Sequence, residues 1–141
     1  VSDNIEIFNN DRGSVVVECE SSERNVITFG GAGTLKAGTI LARSTSTGAF
    51  IVFEKGGSSD GNGAPKGVLT YDVTAEGASD VPAQVLTAGI VNSERLIIDA
   101  DGDGSNVDSV VLDLLRAVSI RTKQVVQLDR FDNPQPGDSD S

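Results

Sequence analysis

The sequence predicts a small, mainly β domain of the α+β kind: an antiparallel β-barrel or sandwich-like core, one C-terminal amphipathic helix and an extended N-terminal arm. Three observations carry this reading. Short apolar runs of strand length recur between clusters of Gly, Ser, Asn and Asp. Sixteen glycines accompany only six aromatic residues, with no Trp and no Met, a composition of turns and modest side chains rather than of an aromatic-lined cleft. Helical periodicity occurs in one place, after residue 106.

The first thirty residues hold three strand-like pieces. In Asn4 to Phe8, Ile5 and Ile7 share a face; in Ser14 to Glu20, Val15, Val17 and Cys19 oppose Val16, Glu18 and Glu20; Val26 to Phe29 is the third. Asn9 to Gly13 and Ser21 to Asn25 between them have turn composition. The first piece is terminal and carries too little apolar surface to offset the entropy of ordering it. Gly30-Gly31-Ala32-Gly33 is read as a flexible joint, since no Gly-Lys-Ser/Thr ending makes it a phosphate loop. Thr39 to Arg43 and Ala49 to Glu54 form a hairpin across Ser44 to Gly48, followed by an exposed, flexible loop from Lys55 to Lys66.

Gly67 to Val73 is the central buried strand, closed by Thr74 to Gly77. Asp80-Val81-Pro82 turns into a strand pair, Ala83 to Thr87 and Gly89 to Asn92, and Leu96 to Ile98 is a further run. Val107, Val110, Val111, Leu114, Leu115 and Val118 then make an amphipathic stripe, a helix over 107–118 with Ser105 or Asn106 as N-cap. Ile120, Val126 and Leu128 mark a last strand. The resulting division is an arm at 1–32, a β-rich domain at 33–128 and an acidic, flexible tail at 129–141.

A chain of 141 residues removes roughly two thirds of its unfolded surface from water, enough for one core without staples. The lone Cys19 excludes an intramolecular disulfide and is expected as a small buried side chain. No apolar run approaches a membrane span and no signal-peptide pattern opens the sequence, so a soluble, cytoplasmically made protein is expected. The 21 acidic residues against 11 basic ones give a net charge of −10, which disfavours nucleic acid and anionic membrane as partners.

Catalytic chemistry finds little to work with. Histidine is absent, no Ser-x-x-Lys or Gly-x-Ser-x-Gly motif occurs, and Glu54 with Asp60 makes a poor carboxylate pair because Asp60 lies in a Gly/Ser loop. No catalytic residue, metal ligand or cofactor is therefore assigned. Asp99, Asp101 and Asp103 with Gly104 match the opening of an EF-hand calcium loop, but Asn106 stands where an aliphatic residue is needed and Val110 where a bidentate carboxylate is needed. An acidic turn capping the helix is the preferred reading; a β-rich calcium-dependent binding or adhesion module is the alternative.

Leu35-Lys-Ala-Gly38-Thr39-Ile40-Leu41-Ala42, the Gly48-Ala49-Phe50 turn, the Asp60 to Gly67 loop, Gly67-Val68-Leu69-Thr-Tyr-Asp72-Val73, Val85-Leu86-Thr87-Ala88-Gly89-Ile90-Val91 and Leu96, in this order and spacing, resemble the phage-lambda-type head decoration protein family. The resemblance covers about residues 33 to 121; Ser119 departs from the Gly-Ile ending family members often carry before Ile120. It implies a homotrimeric cement protein on the outer surface of the expanded head, at local three-fold sites, partnered by the major capsid protein and made in the host cytoplasm. It also implies arms that touch the shell. On the alternating faces of the arm, Ile5, Ile7, Phe8, Val15, Val16 and Val17 are the candidate capsid-binding residues, adding a strand to an exposed edge of the capsid protein.

Overall fold

The computed structural model describes residues 15–124. The chain runs β1 (Val16–Phe29), β2 (Gly33–Leu35), β3 (Ile40–Arg43), β4 (Phe50–Val52), β5 (Pro65–Leu69), β6 (Val73–Ala75), β7 (Ser79–Asn92), α1 (Ser109–Ala117) and β8 (Ile120–Lys123). The main sheet has the order β1-β4-β3-β5-β7-β8, and β7 pairs back onto β1, so five strands close into a barrel with β8 added beside β5 along β7. Pairing is antiparallel except for β1 with β4 and β7 with β8. A two-stranded ribbon, β2 with β6, accompanies it.

The runs of consecutive aliphatic residues arise because the barrel strands are covered on both faces. Ile40 and Leu41, Val68 and Leu69, and Val85 and Leu86 are neighbours in sequence, all fully buried, yet each pair divides between two cores. Successive side chains on a strand point to opposite faces, so one member goes inside the barrel and the other outside it. The inner core takes Ile27, Leu41, Phe50, Leu69 and Val85, one from each barrel strand, with Leu35, Val73 and Ala75 of the ribbon. The outer core packs Ile40, Val68, Leu86 and Val91 beneath Val111 and Leu115 of α1, with Phe53, Leu96, Ile98 and Ile120 around them. Gly67 faces the inner core: a Cβ there would collide with the Val85 side chain and touch Phe50, so that volume is already filled.

The expected hairpin forms as β3 and β4, with Leu41 opposite Val52 and Arg43 opposite Phe50. Elsewhere the boundaries move. Residues 16–29, assigned to the arm from sequence, form a single fourteen-residue strand, and the stretch expected to turn, Ser21 to Asn25, pairs with Ala83 to Ala88 of β7. Polar side chains join the two strands across this stretch: Gln84 Nε2 donates to Ser22 Oγ (2.7 Å) and Thr87 Oγ1 to Ser21 Oγ (3.1 Å). The strand pair expected after Pro82 is likewise one strand, β7. Pro82 lies inside it, before the second neighbour β5 arrives at Val85 and Leu86, where a missing N–H is tolerated.

Register shifts between Val16 and Glu18 and again around Ser21 break the simple alternation of β1. Cys19 is consequently exposed instead of buried, and Val17 is exposed while Val15 is buried. Opposite the bulge Gly89 adopts φ +145°, with the Glu18 carbonyl so close that a Cβ would collide with it. The helix is shorter than its apolar stripe, and its cap is Asp108, not Ser105 or Asn106: the Asp108 carboxylate accepts from Val110 N (3.1 Å) and Val111 N (3.2 Å). Central strand β5 ends at Leu69, and Thr70 to Asp72 lead into β6.

Candidate functional site

The C-terminal end of β7 brings the two ends of the described chain together. Val91 pairs with Val16 on one side, and the Asn92 N–H donates to the Val15 carbonyl (2.8 Å). On the other side Ile120 to Lys123 run parallel to β7, with Lys123 opposite Asn92. The Asn92 side chain accepts from Glu94 N (3.0 Å), capping the 3-10 turn Ser93–Arg95, and Gln124 Nε2 donates to Glu94 (2.9 Å). An ion pair between Arg121 and Glu20 (2.8 Å) reaches from β8 across β7 to β1.

Of the six candidate capsid-contacting residues, Ile5, Ile7 and Phe8 lie outside the described residues. Val15 is buried in the outer core at 7 % exposure and Val16 packs against the same cluster, so both anchor the domain. Val17 is 42 % exposed. On its second edge β1 meets another strand only at Ile27, opposite Phe50, which leaves its Glu18 to Asn25 edge without a strand neighbour among the described residues. That edge is acidic and bulged, both features that discourage indiscriminate strand addition.

Barrel closure therefore rests on a short β1–β4 contact, and one side chain that sequence reading missed reinforces it. Arg43 donates from Nη2 to Glu23 of β1 (2.8 Å) and from Nη1 to the Gly48 carbonyl (2.9 Å), while its guanidinium lies 4.5 Å from the centre of the Phe50 ring. The hydrogen bond from Arg43 lowers the Glu23 pKa. Nothing in the local sequence around Arg43 signals the bond to Glu23, which lies twenty residues away on β1.

Asp60 departs from expectation in a different way. Its carboxylate is firmly held, accepting from Ser44 Oγ (2.5 Å), Thr45 Oγ1 (2.8 Å), Ser46 N (3.0 Å) and Ser46 Oγ (3.2 Å), while its own carbonyl accepts from Thr45 N (3.1 Å). These bonds, the one from Ser44 first, bring its pKa down to about 2. Asp60 also takes φ +54°, so it pins the loop after β4 onto the β3–β4 turn. Sequence reading placed Asp60 in an exposed, flexible loop; the convergence of three hydroxyl side chains from another loop on its carboxylate had no local signal.

The acidic turn is organised by its backbone. Asp101 N and Gly102 N donate to the Ile98 carbonyl, Ile98 N donates to the Asp103 carbonyl, and the Asp103 carboxylate accepts from Ser105 N (2.9 Å), which lowers its pKa. Among the described residues no three acidic, cysteine or histidine side chains converge into a set that could hold a metal ion. An open groove is lined by Ser22, Arg24, Tyr71, Asp72, Pro82 and Gln84; its Ser22 hydroxyl accepts from Gln84 Nε2 (2.7 Å) and its Asp72 carboxylate from Ala37 N (2.8 Å). No helix among the described residues is long and apolar enough to cross a membrane. What the described residues offer is surface, strand edges and the adjacent start of β1 and end of β8.

A family model described as bacteriophage lambda head decoration protein D matches residues 13–120. No curated protein matches the chain.

Proposed function

Because the chain belongs to the family of bacteriophage lambda head decoration protein D, we propose that it is a cement protein that binds as a homotrimer to the outer surface of the expanded phage head, at local three-fold sites, and stabilises it. The observation that carries this reading is the extent of the match, which takes in the whole barrel, α1 and the start of β8. The capsid decoration role follows from the family. Binding needs no chemistry: a protein that binds the expanded, intact shell better than the immature or disassembled one shifts the population toward it by mass action.

The shell contact falls to the segment before the barrel. Val15 and Val16 pack against the outer core, and Ile5, Ile7 and Phe8 in residues 1–14 are the residues proposed to add a strand to an edge of the major capsid protein. One such contact is weak after its ordering cost, whereas three on one trimer act at high effective concentration. The test is co-sedimentation with expanded shells. The full chain is expected to pellet with shells and to raise their disruption temperature. A chain lacking residues 1–14 retains every described core residue and should keep its fold while losing binding. Full-strength binding by that truncated chain would remove the arm from the account.

A further inference from the structure

Two strand edges on either side of β7 lack a strand neighbour along their length among the described residues. One belongs to β1, which meets β4 only at Ile27, opposite Phe50. The other belongs to β8, which pairs only with β7. Val17, Glu18, Cys19, Glu20, Ser21 and Ser22 are all exposed, so this part of β1 is held as a strand by β7 while both of its faces stay uncovered. The N–H and C=O groups along such an edge are a template for a further strand.

The two edges carry opposite charge. Val17 to Ser22 hold Glu18 and Glu20 and no base, whereas Ile120 to Lys123 hold Arg121 and Lys123 and no acid. Within one chain Arg121 and Glu20 pair at 2.8 Å, which leaves Glu18 on one edge and Lys123 on the other without an ionic partner among the described residues. Like edges repel: a two-fold contact of β1 with β1 sets Glu against Glu, and one of β8 with β8 sets Arg and Lys against each other. The favourable contact is head to tail, and a head-to-tail contact that closes makes a ring. Because β1 runs antiparallel to β7 and β8 parallel to it, a copy turned about an axis along the strands brings its β1 to β8 in the antiparallel sense.

We propose that the β8 edge of one copy, Ile120 to Lys123, adds to the β1 edge of the next, Glu18 to Ser22, and that three such contacts close the trimer. The proposal rests on the trimer reading above and names the surfaces that make it. Opposite charge selects the partner edge, so the acidic β1 edge excludes its own kind and accepts β8.

The experiment reverses the two unpaired charges in the full chain, with association followed by light scattering over a dilution series at about 20 mM salt. Glu18→Lys and Lys123→Glu alone are each expected to raise about tenfold the concentration at which trimer gives way to single chains; the two together in one chain should restore the parent behaviour. Cys19 supplies a second readout. In its own chain β8 lies two strand spacings away, about 10 Å, beyond the roughly 4–7 Å that a disulfide spans between Cα atoms. Among Arg121→Cys, Thr122→Cys and Lys123→Cys, at least one is expected to give a three-chain band on a non-reducing gel after oxidation with oxidised glutathione, with no such band from the parent. Unchanged association in both single reversals, together with no three-chain band at any of the three positions, would overturn the proposal while leaving a trimer intact. A single-chain mass for the parent would overturn both.

Discussion

Leu115 and Val110 sit on the same helix and in the same apolar stripe, yet Leu115 is fully buried and Val110 is 59 % exposed. Truncating Leu115→Ala removes atoms from the outer core and leaves a cavity, an expected loss of about 2–5 kcal/mol; Val110→Ser should change stability by less than about 0.5 kcal/mol. Urea unfolding of the two variants checks the contrast. At Asp60 the prediction concerns pH. Its folded-state pKa is depressed to about 2 from the ordinary 3.8, so its contribution to stability is fully present above the unfolded value and is lost as the pH falls from about 4 toward 2. Glu23, Asp103 and Asp108 are shifted in the same direction. Melting temperatures from pH 5 to 2 should therefore fall, and Asp60→Asn should start lower at pH 5 and fall less steeply. An unchanged slope would show that the Ser44, Thr45 and Ser46 bonds do not favour the carboxylate.

Between elements, the closure of the barrel is where a small change has the clearest expected effect. Arg43→Ala removes the bond to Glu23, the bond to the Gly48 carbonyl and the stacking on Phe50 together. The groups are about one third exposed, so screening limits the ion pair, and about 1 kcal/mol is the expected loss. Arg43→Lys should recover little of it, because an ammonium cannot hold two acceptors in a planar fork over a ring. Amide exchange along Ile27 to Phe29 should quicken in both variants. Gly67→Ala tests the packing of β5 against β4 and β7: the new methyl has no room beside Val85, and about 1–3 kcal/mol should be lost although alanine suits strands at least as well as glycine does.

For the whole molecule the proposed trimer gives the simplest expectation. Light scattering at micromolar concentration should return three times the chain mass of 14.6 kDa. A closed cyclic assembly covers surface that would otherwise invite open-ended association. A single-chain mass under those conditions would remove the preformed trimer, and with it the gain from three arms acting together, while the family and the fold would stand.

How much of this was legible beforehand depends on the range of the interactions involved. The mainly β class, the β3–β4 hairpin and the helix follow from local pattern: strand-length apolar runs, a five-residue connection and a 3.6-residue stripe are imposed by the chain's own geometry. The sequence order of glycines and aliphatics was also enough to indicate the family. Tertiary structure alone decided which runs merge. Ser21 to Asn25 has turn composition but becomes strand because β7 offers it a partner along its full length, and Gly89 marks a bulge inside β7 instead of the start of a new strand. Val110 and Leu114 carry the same local signal as Val111 and Leu115, yet only the latter pair faces the barrel. Glu23 reaches Arg43 and Ser44 reaches Asp60 from other segments of the sequence, and β1 and β8 come together only because both flank β7. Local periodicity records which side chains avoid water; pairing, register and closure are long-range choices among apolar runs of similar composition, and only the folded chain makes them.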